Sequence, residues 1–279
     1  MLNRDVVKVK HVLDEGKKID RFVKKRSEFQ SVIDDVIEKP FKNRGCNEVG
    51  SEYTTVQEAV FPWIVAIFRR NESNNQFSYI CDGAIISDSS VLTAAQCVSD
   101  APPANPNDLL VFAGKRSLQS IDSTQKAYKV KEIRVHDNFT SNAGFFANDL
   151  AILGTEEAIE YNSNVQSVCL LDNKVTGPIS DEMTTGWDGN GSLVPVVLRM
   201  TNCNKDNKLH ENIYCTTYFK DVTGCPSYGG LHAVKINNNW YLRGIFSDDV
   251  TKRTPICTNR NLIYTAVNNY TEFINNQSS

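Results

Sequence analysis

The sequence predicts an all-β sandwich or barrel that follows a helical segment and ends in a short helix. After Cys46, short apolar runs rich in β-branched and aromatic residues alternate with clusters of Asn, Asp, Ser and Gly. No helical period interrupts them until the last residues of the chain. Short strands separated in this way by turn residues are typical of antiparallel sandwiches and barrels. The length of 279 residues allows one large domain or two small ones.

The segment 6–39 is predicted to be helical, because apolar residues recur there at intervals of three and four and Pro40 ends the pattern. Two interpretations stay open. The segment is either an arm that docks on a partner or self-associates as a coiled coil, or a helix that packs on its own domain or serves as a linker. Its basic run could contact a polyanion, although a solvated helix face is the more common explanation. That run contains Lys17, Lys18, Arg21, Lys24, Lys25 and Arg26.

Six runs predict strands in the middle of the chain, because each is short, apolar and bounded by turn residues. They are FPWIVAIFR at 61–69, YICDGAIIS at 79–87, SVLTAA at 90–95, DLLVFAG at 108–114, YKVKEIRV at 128–135 and DLAILG at 149–154. Near the C-terminus, 262–267 predicts a strand, and the spacing of Tyr270, Phe273 and Ile274 predicts a short helix after it.

Composition excludes several classes of function. A net charge of -3 gives no electrostatic reason to expect nucleic acid as a partner. No apolar run approaches the roughly 20 residues needed to span a bilayer. The eight cysteines include no CxxC pair, so neither a zinc site nor another metal or cofactor is expected, and their even number favours disulfides. Disulfides imply an oxidising compartment.

Five Asn-x-Ser/Thr triplets are weak further support for an extracellular, glycosylated protein. Their asparagines are Asn71, Asn138, Asn190, Asn269 and Asn276. The first residues are charged throughout and lack the apolar core of a signal peptide. We therefore expect either a fragment of a longer secreted protein or a true start further upstream.

Nine segments, in their order along the chain, resemble the trypsin-like (chymotrypsin-fold) serine proteases. They are FPWIVAI at 61–67, CDGAIISDSSVLTAAQC at 81–97, VHDNF at 135–139, NDLAIL at 148–153, VCLL at 168–171, TGWDG at 185–189, GCPSYGGLHAV at 224–234, RGIFS at 243–247 and IYTAVNNY at 263–270. One such segment would be weak evidence. Nine in order identify 46–279, about five-sixths of the chain, as a member of this family.

The resemblance implies two six-stranded antiparallel β-barrels with a C-terminal helix and an active-site cleft between the barrels. Residues 1–45 would then be a separate helical segment or linker. It also implies four disulfides, with the last one tethering the preceding segment to the barrel domain. They are Cys81–Cys97, Cys203–Cys215, Cys225–Cys257 and Cys46–Cys169.

The catalytic base of this family is missing from the sequence. In the family a histidine takes the proton of an attacking serine, and an aspartate orients the histidine. Asp149 stands at the position of the aspartate, where a purely structural role is the favoured interpretation. Gln96 stands at the position of the histidine. A carboxamide has no basic nitrogen, so Gln96 cannot accept the proton.

The nucleophile is missing as well. The family pattern Cys-x-Gly-Asp-Ser-Gly-Gly-Pro aligns with CPSYGGLH at 225–232 in two registers. Counting from the cysteine places Gly229 at the attacking position, and anchoring on the paired glycines places Tyr228 there. Neither register supplies a serine. In the cysteine register, Ser227 also replaces a glycine whose amide helps to form the oxyanion hole.

Other functional features of the family are changed too. The activation cleavage after Lys or Arg has no counterpart, because neither residue occurs from 45 to 68. Asp248 and Asp249 follow Ser247 where the family has Trp-Gly; they would favour a basic partner or form a solvated loop. Of the histidines in the domain, only His232 is a candidate replacement base, since His136 lies in a segment remote from the chemistry and His210 lies in a polar loop.

These losses predict a non-catalytic serine protease homologue of the arthropod type. The resemblance implies a binding partner or cofactor in an extracellular proteolytic cascade, such as one of innate immunity, with a protease or its substrate as the protein partner. Two alternatives stay open. One is a serine-type endopeptidase that uses Tyr228 or Ser227 as an unusual nucleophile. The other is a structural secreted protein that self-associates through 6–39.

Overall fold

The computed structural model describes residues 61–99, 102–120, 125–142, 145–203, 211–219, 224–247 and 261–277. They form two closed six-stranded antiparallel β-barrels and a short C-terminal helix, which confirms the predicted all-β class. The helix predicted at 6–39 lies outside the described residues. Within the described part, no helix has the length and apolar character needed to cross a membrane.

The first barrel is built from six of the first eight strands. In chain order these strands are β1 (Ile64–Arg70), β2 (Phe77–Ser87), β3 (Ser90–Thr93), β4 (Leu109–Ala113), β5 (Lys126–Val135), β6 (Thr140–Asn142), β7 (Phe145–Ala147) and β8 (Ala151–Thr155). The barrel closes in the order β1-β2-β3-β8-β5-β4, and β6 and β7 form a separate hairpin. In β4, Leu109, Val111 and Ala113 are buried, as the period of two along a strand requires.

The second barrel follows the same plan with the remaining strands. They are β9 (Cys169–Leu170), β10 (Ile179–Asp188), β11 (Leu193–Thr201), β12 (Ile213–Tyr218), β13 (Gly224–Pro226), β14 (Leu231–Ile236), β15 (Asn239–Phe246) and β16 (Leu262–Ala266). The order β11-β12-β16-β15-β14-β10 closes because β10 also pairs with β11. Two short strands are added, β9 beside β15 and β13 beside β10.

One apolar core runs through both barrels. Leu92 of the first barrel and Leu231 of the second belong to the same buried cluster. The rings of Trp63 and Trp240 lie 6.4 Å apart across the barrels. A backbone hydrogen bond of 2.9 Å from Asp82 N to the carbonyl oxygen of Tyr228 joins β2 to the turn before β14. This contact joins the middle of β2 to the turn that contains Tyr228.

Two short helices complete the described chain. The run predicted as a strand at 90–95 is extended only to Thr93, and α1 (Gln96–Ser99) begins three residues later. At the C-terminus, β16 leads into a 3-10 turn (Val267–Tyr270) and α2 (Thr271–Gln277), as the sequence predicted. Buried Ile274 anchors α2 on the core.

The structure forms disulfides between Cys81 and Cys97 and between Cys203 and Cys215. Cys169 is also disulfide-bonded. The predicted pairs Cys46–Cys169 and Cys225–Cys257 each include a residue outside the described ranges.

Candidate functional site

Asp149 is a fully buried carboxylate at the entrance to β8. Asn148 precedes it with φ at 53°, and its amide holds this corner by donating to the carbonyl oxygen of Asn138 and accepting from the hydroxyl of Tyr270. Burial raises the pKa of Asp149 to about 6, and hydrogen bonds from Ser247 and Gln96 oppose that rise. Neutral donors therefore hold the carboxylate, and no cation among the described residues contributes to the shift of its pKa.

Gln96 supplies two of the donors to Asp149. Its backbone N–H donates to Oδ1 and its side-chain Nε2 to Oδ2, each at 2.8 Å. The hydroxyl of Ser247 donates to the same Oδ2 at 2.5 Å. The Gln96 side chain is buried, and its Oε1 has no hydrogen-bond partner among the described residues. The amide thus fixes the aspartate but offers no group that binds a proton near neutral pH.

Replacing Gln96 with alanine is expected to destabilise the protein by about 1–3 kcal/mol, because it removes a donor from a buried carboxylate. Urea unfolding followed by circular dichroism measures the change. Gln119→Ala is the matched control: Gln119 is exposed, and a surface substitution of this kind changes stability by about 0.5 kcal/mol or less. Equal stability of the two variants would show that the Gln96–Asp149 contact is energetically unimportant.

The turn at 227–230 is held by backbone contacts that leave no room for a side chain at Gly229. Gly229 N donates to the carbonyl oxygen of Phe246, and Gly230 N donates to that of Ser227. A Cβ added at Gly229 would lie 2.3 Å from the backbone oxygen of Asp82, and φ at this position is +69°. The register that places Tyr228 at the attacking position therefore fits this turn better than the one that places Gly229 there.

The side chain of Tyr228 packs onto the second barrel. Its half-buried ring stacks on Phe246 with centroids 5.7 Å apart and planes at 24°. Phe246 in turn contacts Tyr264 at 5.5 Å, so Tyr228 extends a buried aromatic cluster. A phenol held in this way fills space against the barrel core. Neither register brings a serine to this place.

Beneath the same turn lies a second buried carboxylate that sequence reasoning missed. Asp82 is fully buried, and its Oδ1 accepts hydrogen bonds from the hydroxyl of Tyr79 at 2.9 Å and from Trp187 Nε1 at 3.1 Å. Burial raises the pKa of Asp82 to about 7, opposed by hydrogen bonds from Trp187, Tyr79 and Ser227. Ser227 therefore interacts with Asp82. The available signal was a single aspartate inside the apolar run 79–87.

His232 does not replace the missing base. It is fully buried inside the second barrel, where Nδ1 lies 2.8 Å from the hydroxyl of Tyr214 and Nε2 lies 3.7 Å from Glu182 Oε2. Burial, and secondarily the charge of Arg243, lowers its pKa to about 3. Both nitrogens are thus directed at residues of the second barrel. The proposal that His232 acts as a base has no support in this geometry.

The other predicted features are placed as follows. The ring of His136 packs against Tyr270 and against Phe273 of α2. His210, Asp248 and Asp249 lie outside the described residues, as do residues 45–60 of the segment that lacks a cleavage site. No cluster of metal-binding side chains occurs in the described ranges. All five candidate glycosylation asparagines are exposed: Asn71, Asn138, Asn190, Asn269 and Asn276.

Comparison with known proteins identifies the family. The model of the family described as Trypsin matches residues 50–274. Inactive serine protease 54 of rat is 25% identical over 233 residues, which cover 78% of this chain and 56% of the rat protein. The mouse protein of the same name is 23% identical over 235 residues, with the same coverage. Coagulation factor IX of guinea pig is 24% identical over 208 residues, 67% of this chain and 68% of that protein.

The chain thus spans little more than half the length of the inactive serine protease 54 relatives that it matches. The family model, by contrast, covers most of the chain, and its range contains both barrels and every described residue of the site. This protein therefore belongs to the trypsin family.

Proposed function

We propose that this chain is a catalytically inactive serine protease homologue that acts by binding a protein partner, a protease or its substrate, in an extracellular proteolytic cascade. One observation carries the proposal. At the position of the family's base stands Gln96, and its side-chain amide is the group that contacts Asp149. The names of the rat and mouse relatives point the same way. Innate immunity and the likeness to arthropod-type homologues stay predictions, because the relatives reported are mammalian.

The size of the defect favours a binding protein over a slow enzyme. In a triad that acts as a unit, removal of the base or the nucleophile alone lowers turnover on the order of a million-fold. Here the base position holds an amide, and the nucleophile turn offers Tyr228, whose ring packs on Phe246. The raised pKa of Asp149 and its three neutral donors suit a structural role for this carboxylate.

Purified full-length protein is expected to show no saturable hydrolysis of peptide esters and no labelling by a fluorophosphonate probe. The reason is that the position of the family's base holds the amide of Gln96, and the ring of Tyr228 at the attacking position packs on Phe246. Active trypsin, tested beside it, is the positive control. Labelling that is lost in Ser227→Ala, or turnover lost in Tyr228→Phe, would instead support the alternative of an endopeptidase with an unusual nucleophile.

The binding role is tested by capture from the extracellular fluid of the source organism, followed by identification of the retained protein and measurement of its affinity in purified form. A partner that binds tightly and is left uncleaved is the expected result. Sedimentation of the full chain over a range of concentrations tests the structural alternative. Self-association without any foreign partner would favour that alternative, with 6–39 as the segment to examine.

A further inference from the structure

The two strands that close the second barrel, β10 and β11, diverge at one end. β10 and β11 pair from Met183 opposite Val197 to Trp187 opposite Leu193. Beyond Met183, β10 continues to pair with β14 on its other edge, and β11 continues to pair with β12. The two strands therefore diverge and leave a groove of about 370 Å³. We call this the seam groove; its walls are 179–182 and 197–199, with Phe219 beside the second wall.

Two exposed apolar side chains, Ile179 and Phe219, line the seam groove, and Met200 follows its second wall along the chain. Ile179, Met200 and Phe219 are 37%, 38% and 37% exposed, and they are three of the four most exposed large apolar residues in the described ranges. The fourth, Phe77, lies on β2 of the first barrel. The guanidinium of Arg199 lies 3.5 Å from the centre of the Phe219 ring. Aromatic residues, Met and Arg are the types enriched in protein interfaces.

The opposite wall carries two carboxylates that lack a lysine or arginine partner among the described residues. Neither Asp181 nor Glu182 forms an ion pair with such a side chain there. Lys235 of β14 pairs with Asp181 of β10, but its ammonium lies 5.9 Å from the centre of the Trp240 ring. Burial raises the pKa of Glu182, and the charge of Arg243 and a hydrogen bond from the backbone of Met200 oppose that rise.

One oxygen of Glu182 is also without a hydrogen bond. Oε2 is buried and has no hydrogen-bond partner among the described residues; Nε2 of His232 lies 3.7 Å away. His232 is neutral near pH 7, because its pKa is lowered to about 3. Asp181, which is half-buried, is therefore the carboxylate whose charge a cation entering the groove would balance, because Glu182 Oε2 is buried against His232.

We propose that the seam groove binds an extended peptide segment of a partner protein, with a lysine or arginine of that segment against Asp181 and apolar side chains over Ile179 and Phe219. An extended segment suits the place because diverging strands expose edges to which another strand can add. The proposal rests on the proposed function, that this chain acts by binding a protein. It locates the contact on the second barrel, at a different place from Gln96 and Asp149.

Selection of random twelve-residue peptides displayed on phage against the immobilised full chain tests the proposal. Enriched peptides are expected to contain a basic residue among apolar ones. Synthetic versions are expected to bind Asp181→Asn and Phe219→Ala at least tenfold more weakly than wild type. Phe77→Ala and Asp137→Asn are the matched controls, since both residues are exposed and lie on the first barrel; they are expected to bind as wild type does.

Three outcomes would overturn the proposal: no enrichment, enriched peptides without basic residues, or equal binding to the groove variants and the wild type. Dimerisation of the full chain that Phe219→Ala abolishes would assign the groove to a second copy instead. The proposed function is judged separately. If a captured partner binds Phe219→Ala as tightly as wild type, the groove proposal fails while the binding role stands.

Discussion

Gly229→Ala is expected to destabilise the protein by on the order of 4 kcal/mol, or to prevent folding. Two costs add at this position. A left-handed backbone conformation costs a residue with a Cβ about 1–2 kcal/mol, and forced overpacking costs about 1–3 kcal/mol or more. The added Cβ would lie 2.3 Å from a backbone oxygen of Asp82 and 2.4 Å from Thr93 Oγ1. A backbone oxygen in a barrel strand cannot move aside as the end of a flexible side chain can.

Urea unfolding of Gly229→Ala and of Gly189→Ala compares the free energies of unfolding of the two variants. Gly189 is the matched control because a Cβ there would meet nothing within 4 Å. Its alanine variant is expected to change stability by about 0.5 kcal/mol or less. If both alanine variants unfold at the wild-type midpoint, the turn has room for a side chain at Gly229. The preference for Tyr228 at the attacking position then loses its basis.

Stability is expected to fall as pH rises from about 4 to about 7, and Asp82 is the main cause. In the folded protein the pKa of Asp82 is about 7, against 3.8 for the free side chain. Between these values the folded state keeps a proton that the unfolded state has lost, so raising the pH favours unfolding. The full shift corresponds to a loss on the order of 4 kcal/mol.

Two other buried groups titrate in or near this window. Asp149, with a pKa of about 6, acts in the same direction as Asp82 between pH 4 and 6. His232 acts in the opposite direction below its ordinary pKa of 6.5, because only the unfolded state binds its proton. The two carboxyl groups outweigh the imidazole up to pH 6. From pH 6 to 7, Asp82 contributes most of the remaining change.

The Asp82→Asn variant tests the assignment. The neutral amide has nearly the size of the protonated acid, so the variant is expected to match wild type near pH 5 and to exceed its stability at pH 8. Thermal unfolding at pH 5, 6, 7 and 8 measures both. Asp137→Asn, at an exposed aspartate, should leave the wild-type slope unchanged. A wild-type stability that does not decrease between pH 5 and 8 would contradict the raised pKa of Asp82.

The buried contacts of the site were only partly predictable. The pattern placed Gln96 and Asp149 at their family positions, and the structure joins them by two hydrogen bonds. The roles of Asp82 and of the Ser247 hydroxyl were missed. Their partners are distant along the chain: Trp187 lies 105 residues from Asp82, and Ser247 lies 98 residues from Asp149. Local patterns carry no information on contacts at such separations.

The sequence by itself predicted seven of the strands and the all-β class, and its resemblance to the family implied the two barrels and the loss of a histidine and a serine at the family positions. These features depend on residue type and on local order along the chain, which can be read directly. Only the tertiary structure decided which residue of CPSYGG has room for a side chain, where the ring of Tyr228 packs, and that Asp82 is buried beside Tyr79 and Trp187. The physical reason is that burial and steric fit are set by strands of both barrels meeting at one turn.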